Sequence, residues 1–157
     1  MESPFDLAAF LVARRASILD AAGTEVASRH LPHYEAAGTG EVRKRLATLF
    51  DVVVVAASER HLDSALTYSD TIASERQQSG HHLSEVQRAI NALEEQLWHA
   101  LLEDAPPDDQ GHALGVVSTI LGAIKDRLAC AYVSRAASKP THTLRIDELF
   151  RGTAGPT

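Results

Sequence analysis

Between Leu83 and Ala100 six apolar residues, Leu83, Val86, Ile90, Leu93, Leu97 and Ala100, recur at intervals of three, four, three, four and three. An α-helix gathers such positions onto one stripe, whereas a strand would scatter them over both faces. The stripe therefore predicts an amphipathic helix. It ends at Glu103-Asp104, because Pro106-Pro107 cannot continue it. Asp108-Asp109 then opens another helix with acidic residues that suit a helix N-terminus, and Val117, Leu121, Ile124, Leu128 and Tyr132 carry its stripe to about Ser138.

The same periodicity runs upstream. Val42, Leu46, Leu49, Val53 and Ala56 predict a helix from Glu41 to about Ser58. Val52-Val53-Val54-Val55 has the β-branched character of a buried strand, but no other segment offers it a partner. Leu62, Ala65, Leu66, Ser69, Ile72 and Ala73 predict a further helix that reaches Arg76-Gln77-Gln78-Ser79, with Gly80 as its left-handed stop. Ser3-Pro4 reads as a helix opening, and Ala8, Leu11, Ile18, Leu19, Ala22 and Val26 follow it as one long or two short helices, with Gly23 as the break. His33 to Gly40 lacks periodicity and reads as a loop. After Lys139-Pro140, Thr143 to Arg151 is expected to form one short helix before a polar tail.

A chain of 157 residues is long enough to enclose one core and too short for two. The expectation is an all-α bundle of five to six helices, with residues 1–140 as the domain and 141–157 as short helix and tail. Charge and cysteine use narrow its setting. Fifteen Lys and Arg against twenty-one Asp and Glu leave a net charge of -6, unsuited to gripping nucleic acid phosphates. Arg43-Lys44-Arg45 lacks interleaved aromatics and reads as a solvated helix face. Glu2 and Asp6 flank Ser3-Pro4-Phe5 in place of a basic-then-apolar leader, and no apolar run would span a bilayer, so a cytoplasmic protein away from membranes is expected. The single cysteine, Cys130, suits a reducing compartment; between Ala129 and Ala131 it is expected to be a small buried thiol.

Chemistry is sparse. Eight histidines, at positions 30, 33, 61, 81, 82, 99, 112 and 142, invite a metal or haem reading. No Glu-x-x-His pair of the carboxylate-bridged di-iron kind occurs, so no metal is expected. His99 and His61 are the candidate haem ligands, each needing an apolar cleft beside it. His81 and Glu85, one turn apart, are the pair that a small helical enzyme would use. No nucleophile elbow or phosphate-cradling glycine loop is present, and the chain reads as non-catalytic.

The most distinctive stretch is Glu75-Arg76-Gln77-Gln78-Ser79-Gly80-His81-His82-Leu83-Ser84-Glu85-Val86, followed by Ala89 and Leu97-Trp98. Arg with Gly four residues on, a Leu-Ser-Glu-Val helix start and a Trp near that helix's end resemble the N-terminal sensor domain of RsbR-type stressosome proteins. A related helical module precedes the DNA-binding part of PucR-like regulators. The resemblance spans about Ala13 to Ala137. It implies a globin-like fold that typically lacks haem, forms a homodimer and passes a signal to a module that follows it. Carried onto this sequence, Gly80 turns the chain, Leu83 and Val86 pack, Trp98 anchors the bundle, and Arg76 has a structural role. His82 stands where the family often has a small hydroxyl residue, so Ser84 with Gln87 is the expected replacement cap. RsbR-type proteins continue into an output domain, whereas only a short segment follows Pro140. The expectation is a sensor working alone or one whose output partner is another polypeptide. Its dimer contact is expected on the first or last helices, and a small-molecule ligand, if it has one, in a cleft among the last three long helices.

Overall fold

The structure, a computed structural model, describes residues 4–138, so the helix expected at Thr143 to Arg151 and the 141–157 tail lie outside the described residues. The described residues form seven helices and no strand: α1 (Leu7–Ala13), α2 (Arg15–Ser28), α3 (Pro32–Ala37), α4 (Thr39–Glu59), α5 (Asp63–Gln78), α6 (Leu83–Asp104) and α7 (Pro107–Ser138). The fold is all-α, and its arrangement is compatible with a globin-like order.

The first helix starts later than Ser3-Pro4. Asp6, in extended backbone, accepts a hydrogen bond from the Ala9 N–H at 3.0 Å and is the cap. The chain then breaks at Arg14 and not at Gly23, which lies inside α2. A mid-helix glycine costs only about 1 kcal/mol and is tolerated. Arg14 is instead fixed from outside: its guanidinium sits 3.8 Å from the Phe10 ring centroid and 3.1 Å from Asp104 at the end of α6.

The segment expected as a loop at His33 to Gly40 contains α3 and the start of α4. Pro32 pre-sets the first helical position, Tyr34 is buried, and Gly38 at φ 85° breaks the chain before Thr39. Two turns are too few for periodicity to register. The valine run is helical. Val53 is fully buried on the α4 stripe while Val55 is 40% exposed, which is how four consecutive residues spread around a helix.

α6 meets expectation along its length, with Val86, Ile90, Leu93 and Leu97 all buried. α7 packs against α4, α5 and α6; α2 lies on α4 and α6, and α1 on α4. One core cluster runs through the described bundle from Leu11 to Tyr132. Each fully buried Leu or Ile in it contributes about 1.5–3 kcal/mol relative to exposure.

Candidate functional site

Two of the buried ionisable groups, His81 and Glu85, lie where α5 turns into α6. The turn itself follows from Gly80. At φ 79° it lets the Gly80 N–H reach the Gln77 carbonyl at 3.2 Å and the His81 N–H reach the Arg76 carbonyl at 2.9 Å, closing α5 with a Schellman motif. His81 is thereby carried inward, and the Tyr132 hydroxyl of α7 donates to its carbonyl at 3.1 Å.

Glu85, at the third position of α6, is the hub. Its carboxylate accepts from the His82 N–H at 3.2 Å, which is the carboxylate half of a capping box. The cap is thus made by His82 and Glu85, not by Ser84 and Gln87. The same carboxylate accepts from the His33 N–H of α3 at 3.1 Å, and His33 Nδ1 lies 2.7 Å from its second oxygen. Burial alone would push the Glu85 carboxyl up, but these hydrogen bonds and the charge of His33 outweigh it and hold the group below its ordinary value. Three elements, α3, the turn and α6, are joined by one carboxylate.

His81 completes the cluster without bonding to Glu85. Its ring stacks on His33 with centroids 4.6 Å apart and meets the Tyr34 ring edge-on at 5.4 Å. Both its ring nitrogens are buried and neither has a hydrogen-bond partner among the described residues. Burial, then the nearby charges of His33, Arg45 and Arg76, push its pKa below the ordinary histidine value against the opposing pull of Glu85. Burial likewise raises the phenols of Tyr34 and Tyr68, and takes Tyr132 up to about 12.

Behind Tyr34 a cavity of about 20 Å³ is lined by Arg45, Tyr68, Arg76 and apolar residues of α4, α5 and α6. The larger opening lies elsewhere. A cleft of about 1040 Å³ runs between the start of α1, the α4–α5 turn and the first half of α7, with Phe5, His61 and His112 on its walls. The small cavity lies among α3, α4, α5 and α6, so neither opening sits among α5, α6 and α7 where the ligand cleft was expected.

The residues singled out in the sequence are scattered by this geometry. Arg76, Gly80, Val86 and the partly buried Leu83 belong to the α5–α6 junction. Trp98 is 37% exposed and stands outside the core, since one position past Leu97 on a helix is rotated off the buried stripe. His99 is exposed beside it. His61 lies 3.3 Å from Glu59 and 3.8 Å from Asp63 on the wall of the wide cleft. His81 and Glu85 are brought near each other, but Glu85 bonds His33. Cys130 is exposed, not buried. No group of three or more His, Cys, Asp or Glu positioned for a metal ion occurs among the described residues, and no described helix is long and apolar enough to cross a membrane. Sequence reasoning missed His33, whose link to Glu85 spans 52 positions; a glutamate at the third helical position behind an unusual cap was the available clue.

The described residues thus form a small all-α domain in which buried ionisable groups tie helix ends together. The family model for the N-terminal domain of the RsbT co-antagonist protein rsbRD matches residues 12–138, and the chain belongs to that family. The family is a regulatory domain of stress signalling. No curated protein and no solved structure matches the chain.

Proposed function

We propose that this chain is a non-catalytic sensor and interaction module of cytoplasmic stress or transcription signalling. It works as a homodimer and signals to a protein partner by exchanging one arrangement of its helices for another. Family membership across residues 12–138 carries the reading. Residues 1–140 form the sensing unit. Gly80 sets its central turn, Leu83 and Val86 pack beside it, and Arg76 helps hold the junction. A single carboxylate joining α3 to α6 favours such a role, because a small change in charge or contact there alters three elements together. The wide cleft beside α1 and α7 has the volume for a small-molecule input.

Exposed apolar side chains supply the dimer surface: Val12 on α1, Trp98 and Leu102 on α6, and Val133 on α7. Light scattering at micromolar concentration is expected to report two chains per particle, falling to one in a Val12→Asp/Val133→Asp variant. A one-chain particle for the wild type overturns the dimeric reading. Protein purified from haem-supplied cells is expected to show no Soret band. A band lost in His61→Ala or His99→Ala would replace this reading with a haem sensor.

A further inference from the structure

Arg45 of α4 and Arg76 of α5 both line the small cavity behind Tyr34. Arg45 Nε reaches Glu41 at 3.3 Å and its guanidinium lies 5.5 Å from the Tyr34 ring centroid, while Arg76 Nη1 reaches Glu75 at 3.4 Å and the Arg76 side chain also hydrogen-bonds Tyr34. Their other buried nitrogens, Arg45 Nη1 and Arg76 Nε, have no hydrogen-bond partner among the described residues. A guanidinium only donates, so the two cannot satisfy each other. Glu85, a buried carboxylate whose charge bears on Tyr34, is already bonded to His33 and His82. Two buried donors on permanent cations therefore face a space with apolar walls and two phenols, Tyr34 and Tyr68. Leaving buried donors without an acceptor is costly.

We propose that Arg45 and Arg76 together bind one halide ion, chloride under ordinary conditions, in the cavity between α4, α5 and α6. Size selects the ligand class. About 20 Å³ is the scale that holds a single water-sized particle, which admits a monatomic anion and excludes phosphate, sulfate and carboxylate metabolites. Charge separates the halide from water: both accept from the two donors, but only the halide adds a negative charge beside cations whose own carboxylate partners, Glu41 and Glu75, are 44% and 59% exposed. The phenol hydroxyls of Tyr34 and Tyr68 stay protonated at neutral pH, since burial raises both, and so remain donors toward an anion. The site couples α4 to α5 next to the turn at Gly80, so its occupancy favours one arrangement of the junction. The inference stands on these side chains and is independent of the signalling role proposed above.

The test is thermal melting of the full chain at fixed ionic strength, with sodium chloride replacing sodium gluconate. Tm is expected to rise saturably with chloride, by about 3–6 °C at ten times the dissociation constant. Bromide is expected to act like chloride, and the rise is expected to vanish in Arg45→Gln and in Arg76→Gln. Equal Tm in chloride and gluconate, the signature of a water-filled site, overturns the proposal, as does a chloride effect that survives in both variants. Should either variant fail to fold, chlorine-35 NMR of the wild type decides. A chloride line broadened by protein and narrowed again by bromide supports the site; an unbroadened line, or one that bromide leaves broad, sinks it.

Discussion

Gly80 sits at φ 79°, and a Cβ added there would lie 3.6 Å from His33 Nε2, an ordinary contact distance. Gly80→Ala therefore strains the backbone without a clash. The left-handed region costs a residue with a Cβ about 1–2 kcal/mol, so thermal melting is expected to show Tm lower by about 2–8 °C. An unchanged Tm would mean that the Schellman turn does not depend on glycine. Glu85 is tested by Glu85→Gln, which keeps the shape but turns part of the acceptor group into a donor facing His33 and His82. A loss of about 2–3 kcal/mol is expected at pH 7, in the range for hydrogen bonds to a buried charge. The sign with pH follows from the lowered Glu85 pKa. Its contribution is complete above the ordinary glutamate value and is lost as pH falls through the folded value. Chemical denaturation of the two proteins is therefore expected to begin converging as pH falls below the ordinary glutamate value of about 4.3.

At the level of helices, α4 ends on Arg60 at φ 58°, a left-handed position filled by a residue with a side chain. Arg60→Gly removes that strain and is expected to raise stability by about 0.5–1 kcal/mol, measured by urea denaturation at constant m-value; a loss would show that the guanidinium has a role at this turn. Arg60 also shows what a sequence conceals. The long helices were legible because Leu83 to Ala100 and Val42 to Ala56 repeat over several turns, enough for one face to declare itself. α3 was not, since two turns carry no period, and neither was the break at Arg14, which depends on Phe10 and on Asp104 ninety positions away. The same reasoning covers the candidate site. Gly80 was readable as local turn chemistry. The His33–Glu85 link, the stacking of His81 on His33 and the pairing of His61 with Glu59 depend on which ends the fold brings together. Cys130 misled because alanine neighbours fit a buried or an exposed face equally well.

For the molecule as a whole, burial dominates over charge. Arg127 grips Asp70 through two hydrogen bonds of 2.9 and 3.0 Å, but both groups are about half exposed, so the pair orients α7 against α5 more than it stabilises the bundle. Buried ionisable groups have the opposite weight. Against His81 stand His33 from α3, Tyr34 beside it, Arg45 from α4, Arg76 from α5 and Glu85 from α6.

Since burial and those cations depress the His81 pKa, the unfolded chain binds a proton there more readily than the folded one. Stability is therefore complete above the ordinary histidine value of about 6.5 and falls as pH drops from there toward the lower folded value. Tm measured at pH 7.5, 6.5 and 5.5 is expected to decline over the lower step, above the range in which Glu85 protonates. His81→Phe separates this cause from the other histidines. Phenylalanine keeps an aromatic ring against His33 and Tyr34, removes the titration and also removes two buried nitrogens that lack partners. That variant is expected to melt higher than the wild type by the equivalent of about 1–2 kcal/mol at pH 7.5. Its advantage should widen toward pH 5.5 as the wild type alone loses stability at this position. If the decline between pH 6.5 and 5.5 is as steep in His81→Phe as in the wild type, the pH response belongs to exposed histidines, and the junction of α3, α5 and α6 is not where protons act on the fold.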